Sequence, residues 1–370
     1  MKLAGYRVLD LSMFLPGPYL SAALADHGAE VIKVEVPGEG DPTRHIGLAD
    51  GEHTVYFRVL NRGKKSIAVD LKDLEQRAAF LELCDSADVF IEAFRPGVAE
   101  RLGVGQEVLR ARNPRLVYCS ISAFGNDSAY RTRPAHELAA EALSGALSLN
   151  LGDDGKPAIP GLPTGDLLSG LYALSGILMA LLRRETTGKG DYLDISLLES
   201  LVGGLTLTLG PTLAEGRQPI VRHERTTGGA AFYRIYATSD GKHVALAGQE
   251  PKFIHALLGA LGRPELAAAC LRGPGAHQQP VMDFLEATFA QKTRAEWDAW
   301  LATLDVAYAP VKTLPEAMAD PNLAARGMFW RDAGGRAHIG SPIRFRDEPG
   351  QVATSAPRLG EHNELLLKRG

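Results

Sequence analysis

The stretch Tyr6–Val36, YRVLDLSMFLPGPYLSAALADHGAEVIKVEV, decides the fold class. Its apolar run Tyr6–Leu11 predicts a strand, Pro18–His27 predicts a helix, and Glu30–Val36 predicts a second strand. Two strands joined by a crossover helix form a parallel pair, with the helix packed on one face of the sheet. The same rhythm continues to about residue 125, so the sequence predicts an α/β domain with a Rossmann-like parallel sheet.

The remainder of the chain divides into more of this domain and a second, smaller α+β domain. Further parallel strands are predicted at Ser66–Leu71, Asp88–Phe94 and Arg115–Ser122, and an apolar helix at Leu167–Arg184. Beyond a Gly-, Thr- and Pro-rich connection, residues 232–237 and 243–247 flank the turn Ser-Asp-Gly and predict a β-hairpin. Parallel sheets bind ligands at the carboxyl ends of their strands, so we expect the site there.

Composition excludes several classes of function. The formal net charge is −4, which gives no basic field for nucleic acid. Three cysteines without metal-ligand spacing fit a reducing compartment, and we expect a cytoplasmic protein without a metal. The apolar run Leu167–Leu182 has 16 residues, short of the roughly 20 that span a bilayer, and is interpreted as a buried core helix. The turn Leu15–Pro18 lacks the GxGxxG pattern, which argues against a dinucleotide site.

Three residues are candidates for chemistry, and each has an ordinary structural interpretation. Asp166 precedes the long apolar helix, where an N-cap is the favoured role on local sequence alone. His136 precedes another helix, in RPAHE, and a lone histidine there is usually a solvated surface residue. Glu250, in GQEP, could simply be a first-turn carboxylate.

Longer segments carry a resemblance to a known family. They are GPYLSAALADHGAEVIKVEVPGEGD (17–41), LNRGKKSIAVDLK (60–72), EAFRPGVAERLGVG (92–105), NPRLVYCSISAFG (113–125) and LMALLRRETTGKGDYLDISLLE (178–199). The chain resembles the family III CoA-transferase superfamily, of the CaiB/BaiF type, over almost its whole length. Within it, the resemblance is greatest to the α-methylacyl-CoA racemases.

The resemblance implies two possible chemistries. In the transferases, the aspartate that matches Asp166 is a nucleophile that forms an acyl anhydride and then a CoA thioester. In the racemases, the same aspartate and a histidine matching His136 are acid and base, and a glutamate matches Glu250. Two departures from the racemase pattern are Glu137 in place of aspartate and Ala139-Ala140 in place of Asn-Tyr.

Because all three residues are present, the sequence favours a racemase or epimerase acting on 2-methyl-branched acyl-CoA thioesters through an enolate. His136 suits proton transfer near neutral pH, and Asp166 requires a pKa raised by burial. Glu250 would orient His136, and backbone amides at the helix start would stabilise the enolate oxygen. The alternative is a CoA-transferase with Asp166 as nucleophile.

The resemblance also implies how the substrate binds and how the chain assembles. Basic and aromatic residues at strand ends are the candidates for holding CoA, which is part of the substrate, so no separate cofactor is expected. They are Arg44, Arg62, Lys65, Phe94 and Arg95. The implied domains are residues 1–200, completed by 329–370, then a linker at 201–227 and a small domain at 228–328. Two chains would form an interlocked homodimer without nucleic-acid or membrane partners, and Glu250 would come from the partner chain.

Overall fold

The computed structural model describes residues 1–152 and 154–367, and the chain divides into two compact units. The first unit comprises Met1–Asn150, Ala158–Leu205 and Pro321–Gly370, and the second comprises Leu151–Pro157 and Thr206–Asp320. The polypeptide therefore leaves the first unit and returns to it near its carboxyl end.

Strands and helices alternate through the first unit, as the sequence predicts. The elements of both units are numbered in one series along the chain. The strands are β1 (Arg7–Asp10), β2 (Glu30–Glu35), β3 (Ala49–Asp50), β4 (His53–Thr54), β5 (Lys65–Ala68), β6 (Val89–Glu92), β7 (Val117–Ser122), β8 (Tyr192–Ser196), β9 (Tyr233–Ala237), β10 (His243–Ala247), β11 (Tyr308–Pro310), β12 (Phe329–Arg331) and β13 (Ala337–Ile339). The α-helices are α1 (Pro16–Asp26), α2 (Val55–Asn61), α3 (Leu74–Cys84), α4 (Val98–Arg101), α5 (Gln106–Arg112), α6 (Glu137–Ser144), α7 (Thr164–Thr187), α8 (Leu197–Gly204), α9 (Gly210–Glu215), α10 (Pro251–Ala260), α11 (Ala267–Cys270), α12 (Gln279–Phe289), α13 (Arg294–Leu301), α14 (Leu314–Met318), α15 (Pro321–Ala325) and α16 (Asn363–Leu366).

A six-stranded parallel sheet forms the centre of the first unit, which confirms the predicted α/β class. Its strand order is β5-β2-β1-β6-β7-β8. The chain begins at β1 in the middle, adds β2 and β5 on one side, and then adds β6, β7 and β8 on the other. The order therefore reverses between β1 and β6. In sheets of this kind a ligand crevice opens at the carboxyl ends of the two strands that flank the reversal.

Alternate side chains of the strands enter two separate hydrophobic cores, one on each face of the sheet. Val8 of β1 and Val89 of β6 pack with Leu20 of α1 and with Ile177 of α7. Leu9, the next residue of β1, lies on the opposite face in a core that includes helices α3 and α5. Because both faces are covered, the strands are apolar almost throughout.

Two predicted helical stretches are each divided into two helices in the structure. The helix predicted over Gly97–Arg112 is two helices, α4 and α5, because the chain turns at Gly103 with φ +73°. The long helical stretch predicted from Pro280 to Leu304 is likewise α12 followed by α13. A capping box, with Thr293 bonded to the backbone of Glu296, starts the second of these helices.

Helix α7 is longer than its apolar run suggests and has two different faces. Its 24 residues are long and apolar enough to cross a membrane by length and composition alone. One face packs into the sheet core through Ile177 and Leu181, which are buried. The other face exposes Leu178, Met179 and Leu182. The prediction of a buried core helix therefore holds for one face only.

The second unit is built on the predicted hairpin. Strands β9 and β10 are antiparallel, and β11 joins the other edge of β10. Helices α10 to α13 supply the rest of its core, in which Tyr236 stacks on Phe289 and Trp297 packs edge-on against the same ring.

Candidate active site

A cavity of about 320 Å³ lies in the first unit at the reversal of the sheet. We call it the Asp166 pocket. It is formed by the segments that follow β1, β6 and β7, by the loop that leads into α6, and by the start of α7. Its lining residues are Met13, Phe14, Pro16, Ala93, Phe94, Arg95, Pro96, Ile121, Ser122, Ala123, Phe124, Gly125, Arg131, Arg133, Ala135, His136, Glu137, Asp166 and Leu197. The structure therefore brings His136 and Asp166 to one pocket, together with two of the predicted CoA-binding residues, Phe94 and Arg95.

Asp166 is not the cap of helix α7. The N-cap is Pro163, and Asp166 lies in the first turn of the helix, which no side chain of its own caps. Within the described part of the chain, the Asp166 carboxyl accepts no hydrogen bond and forms no ion pair. Burial and, as the smaller effect, the nearby Glu137 carboxylate together raise its pKa to about 7. The capping interpretation is therefore wrong, and the carboxyl is free for chemistry.

An acidic residue of helix α6 binds one of the first amides of α7. The backbone N–H of Gly165 donates to Glu137 Oε1 at 3.0 Å, and Glu141 lines a small cavity together with Thr164. The Gly165 amide is therefore not available to an enolate oxygen, contrary to the expectation that amides at the helix start are free. The sequence showed Glu137 only as a departure from a family pattern, and gave no signal for Glu141.

His136 lies at the N-cap of α6, on the wall of the pocket. Its ring packs edge-to-face against Phe14, with the two ring centroids 6.1 Å apart. Phe14 has a φ of +64°, a left-handed conformation that is uncommon for residues with a Cβ atom and marks local backbone strain. The tight turn after β1 thus places an aromatic ring at the mouth of the site.

Glu250 belongs to the second unit. It is the N-cap residue of α10, is exposed, and makes no side-chain cap bond there. Its pairing with His136 stays a prediction.

A buried network of polar residues fixes the loop that follows β1. Lys64 Nζ lies 3.1 Å from Asp10 Oδ2 and also bonds to Ser21 and Asn61, while Asp10 accepts from the backbone N–H of Ser12. Burial alone raises the pKa of Asp10, but the ammonium groups of Lys64 and Lys33 lower it to about 2. The ionised carboxylate therefore anchors the segment that carries Met13 and Phe14 into the pocket.

Three of the predicted CoA-binding cations are paired with carboxylates of the protein. Arg44 bonds to Glu35 at 2.7 Å and lies over the Phe57 ring, with 3.8 Å between guanidinium carbon and ring centroid. Arg62 bonds to Asp26 at 2.7 Å. Lys65 bonds to Glu30. These contacts give each cation a structural role, and their binding to CoA stays a prediction.

The pocket itself contains three guanidinium groups that pair with no carboxylate in the described ranges. They belong to Arg95, which was predicted, and to Arg131 and Arg133, which were not. The sequence signal for the last two was weak because isolated arginines in a polar loop are ordinary surface residues. Their presence on one pocket makes the site suitable for an anionic ligand.

A second cavity of about 550 Å³ adjoins the first at the same edge of the sheet. Met13 and Phe94 line both cavities. Its other walls come mainly from the segments that follow β2 and β5, including Val36, Asp70 and Lys72. The two cavities are therefore adjacent and share part of one wall.

Comparisons with known proteins agree with this architecture. The sequence profile described as CoA-transferase family III matches residues 3–363. An acetyl-CoA:oxalate CoA-transferase of Acetobacter aceti is 35% identical, over 98% of this chain and 94% of that protein. A succinyl-CoA:glutarate CoA-transferase of Mus musculus is 33% identical, over 99% of this chain and 86% of that protein.

Solved structures give the same result. A CaiB/BaiF family protein from Brucella suis has a TM-score of 0.84 and 34% identity, covering 97% of both chains. Rv3272 from M. tuberculosis has a TM-score of 0.85 and 31% identity, covering 99% of both chains.

Proposed function

Because the chain belongs to CoA-transferase family III, we propose that it moves CoA from an acyl-CoA thioester to a carboxylic acid, with Asp166 as the covalent carrier. The observation that carries this proposal is the Asp166 carboxyl, which lines a cationic pocket and has no structural partner there. The relatives described above are named as CoA-transferases, which favours transfer over the racemisation that the sequence first suggested.

The proposed reaction is a series of four acyl transfers in which atoms and charges balance. An Asp166 oxygen attacks the thioester carbonyl, forming a mixed anhydride and releasing CoA thiolate. The thiolate attacks the Asp166 carbonyl of the anhydride, which leaves a CoA thioester on Asp166 and frees the donor acid. The acceptor carboxylate then attacks this thioester, giving a second anhydride and CoA thiolate. Attack of the thiolate on the acceptor carbonyl yields the new acyl-CoA and regenerates the Asp166 carboxylate.

The surroundings of Asp166 suit a nucleophile. A carboxylate with a pKa of about 7 is more basic than an ordinary aspartate, yet it is substantially ionised at neutral pH. The nearby guanidinium groups of Arg95, Arg131 and Arg133 would offset the negative charge that two carboxylates and a thiolate bring into one pocket.

CoA would occupy both cavities. The nucleotide end fits the larger cavity between the ends of β2 and β5, and the pantetheine arm would pass Met13 and Phe94 toward Asp166. Phe94 and Arg95 are the predicted CoA-binding residues that lie on this path. No separate cofactor takes part in the proposed reaction.

For the acceptor we propose a dicarboxylic acid. One carboxylate would react at Asp166 while the other bonds to Arg131 or Arg133, since a guanidinium group binds a carboxylate through paired N–H donors. The two relatives described above are named for oxalate and glutarate, which are both dicarboxylic acids.

Racemisation remains a second candidate because one observation favours it. His136 and Asp166 line the same pocket, and a carboxyl group with a pKa of about 7 is able to donate as well as accept a proton. In that reaction the two side chains would stand on opposite faces of the α-carbon of a 2-methyl-branched acyl-CoA.

We also propose the interlocked homodimer that the family resemblance implies. The exposed apolar side chains of α7, among them Met179 at 66% and Leu182 at 75% exposure, are suitable for burial against a second copy. Glu250 as a residue contributed by the partner chain belongs to this proposal.

One experiment separates the two reactions. The protein is incubated in D₂O with a 2-methylacyl-CoA, with and without a panel of mono- and dicarboxylic acids, and with hydroxylamine as a trap. Transfer predicts new acyl-CoA only when an acid is present, and a hydroxamate on Asp166. Racemisation predicts deuterium at the α-carbon without any acid and no hydroxamate. Neither product with the wild-type protein overturns both candidates, and Asp166→Asn serves as the control.

A further inference from the structure

Two glutamates of helix α6 lie next to the start of helix α7, close to Asp166. Glu137 and Glu141 are four residues apart and therefore lie on the same face of α6. Glu137 accepts the Gly165 N–H at 3.0 Å, and Glu141 lines a cavity together with Thr164, one residue earlier. The two carboxyl groups thus lie beside consecutive residues of the first turn of α7, which lacks an N-cap side chain of its own.

Glu141 is buried in a way that an isolated carboxylate does not tolerate. Only 2% of the residue is exposed, and its Oε2 atom has no N–H or O–H donor among the described residues. It lines a cavity of about 210 Å³ whose walls contain no cationic side chain; the other wall residues include Asn150, Leu168 and Leu201. A buried carboxyl without a counter-ion is stable only when it holds a proton.

The group placed to share that proton is the Glu137 side chain, one helical turn away on the same face of α6. Two carboxyl groups form a hydrogen bond with each other only when one of them is protonated. Burial first, and Glu137 second, raise the pKa of Glu141 to about 7. One proton shared by the two groups leaves a single negative charge.

Within the part of the chain that the structure describes, the helices and the 3-10 turn packed against α6 place no cation near that charge, and the cations that face it line the Asp166 pocket. Helices α7 and α8 and the 3-10 turn Ala146–Leu149 pack against α6. Asp166 is the titratable residue at the near end of α7, and Glu199 is the titratable residue of α8 and is exposed. The 3-10 turn carries none. On the pocket side the ionisable residues are His136, Arg95, Arg131 and Arg133. Tyr56 lies close to Asp166, and burial and the Asp166 carboxylate raise the pKa of its hydroxyl.

We propose that Glu137 and Glu141 are positioning residues that form a proton-sharing carboxyl pair, cap the start of α7, and hold one negative charge beside Asp166. The pair occupies the helix N-terminus, where the macrodipole would otherwise stabilise the Asp166 carboxylate. Its charge opposes ionisation of Asp166 and so keeps that carboxylate basic. The inference deepens the proposed function and rests on it for its catalytic consequence.

The test measures the ionisation of Asp166 directly, by ¹³C NMR of protein labelled at the aspartate carboxyl carbons. The Asp166 signal is assigned by its loss in Asp166→Asn. In the wild-type protein the carboxyl should titrate near pH 7. Glu137→Gln keeps an oxygen that accepts the Gly165 N–H but removes the charge, so the midpoint should fall by about one pH unit or more. Glu137→Asp keeps the charge and should retain most of the high midpoint.

Glu141→Gln tests which of the two glutamates carries the negative charge. It removes the shared proton but leaves Glu137 ionised, so the Asp166 midpoint should not fall. Glu199→Gln, a first-turn glutamate on the neighbouring helix α8, is the matched control and should change nothing. An unchanged midpoint in Glu137→Gln, or an equal fall in Glu141→Gln, overturns the inference.

A kinetic measurement links the pair to the reaction. The acid limb of the pH profile of kcat/KM for CoA transfer should move with the NMR midpoint in Glu137→Gln, with little change in KM for the acyl-CoA. Absence of transfer by the wild-type protein would contradict the proposed function, whereas the NMR titration would still decide whether the carboxyl pair exists.

Discussion

At the scale of single residues, Asp166 shows why local sequence was a poor guide. An aspartate before an apolar helix is a frequent N-cap, and nothing in Thr164-Gly165-Asp166 distinguishes a cap from a first-turn residue. In the structure Asp166 lies inside the helix, because Pro163 is the N-cap and Glu137 of α6 accepts the Gly165 N–H. That contact joins residues 28 positions apart, so no local pattern predicts it.

The position of Asp166 predicts an unusual effect of Asp166→Asn on stability. The pKa of this carboxyl is raised to about 7 in the folded protein. The free energy of unfolding therefore decreases as the pH rises from the ordinary aspartate pKa toward about 7, because the unfolded chain ionises this group more readily than the folded protein does. Asparagine avoids that loss. At pH 8 the variant should therefore be more stable than the wild-type protein by about 1–3 kcal/mol, and near pH 4 the two should be alike. Urea denaturation at both pH values checks this.

A capping role for Asp166 gives the opposite sign. Loss of an N-cap side chain costs about 1 kcal/mol, and more when the carboxylate is ionised. A less stable Asp166→Asn protein at pH 8 would contradict the geometry described here.

The same pKa predicts the pH dependence of catalysis. Asp166 must be ionised to attack the thioester, so kcat/KM for CoA transfer should rise through about pH 7 and level off above it. Initial rates between pH 5 and 9 at subsaturating acyl-CoA measure this. A profile that falls above pH 7 would mean that the protonated carboxyl is the active form.

The prediction about the dicarboxylic acid that accepts CoA concerns Arg131 and Arg133. Replacing both with leucine should raise KM for a dicarboxylic acceptor roughly 10- to 100-fold, because a charged hydrogen bond contributes about 1.5–3 kcal/mol. KM for the acyl-CoA should change little. Arg101→Leu, which removes an exposed guanidinium group from α4 outside the pocket, is the control. A rise in KM for the acyl-CoA instead would assign these two arginines to CoA.

At the scale of elements, strands and their order follow from sequence patterning better than helix ends do. The apolar runs at β1, β2, β6 and β7 are buried on both faces, which leaves a clear signal. Helix ends depend on glycine turns and on contacts between distant segments. The break between α4 and α5 and the extension of α7 to Thr164 are two examples.

The loop after β1 depends on a buried ion pair that the sequence did not predict. No individual role was predicted for Lys64, yet its ammonium group is fully buried against Asp10. Lys64→Met should leave that carboxylate buried without its main counter-ion and destabilise the protein by about 3–5 kcal/mol.

The adjacent lysine is the matched control for this substitution. Lys65 pairs with Glu30 near the surface, so Lys65→Met should cost only about 0–1 kcal/mol. Equal losses in the two variants, measured by thermal denaturation, would show that the buried network does not hold the loop.

At the scale of the whole molecule, composition and patterning sufficed for an α/β protein with a parallel sheet, and a cavity lies at the carboxyl edge where the site is expected. They did not suffice to choose a reaction. His136, Asp166 and Glu250 fitted a racemase by residue type, but the contact of Glu137 with the start of α7 and the arginines that line the Asp166 pocket became visible only when the loops were placed in space.

The prediction at the scale of the whole molecule concerns the assembly of two copies into a dimer. If a second copy covers the exposed face of α7, the protein should behave as a dimer in light scattering after size exclusion. Leu182→Glu should weaken that dimer, because a charge would be buried in an apolar contact. Leu74→Glu places the same charge at an equally exposed leucine of α3 and should leave the dimer intact. A wild-type monomer would contradict the proposal.

The most direct measurement of the central claim is the mass of the Asp166 peptide after the protein is mixed with acyl-CoA and trapped with hydroxylamine. We predict a hydroxamate on Asp166, formed only when acyl-CoA is present and absent from Asp166→Asn. An unmodified Asp166 peptide, together with deuterium at the α-carbon of the recovered acyl-CoA in D₂O, would show that this carboxyl moves a proton and never carries CoA.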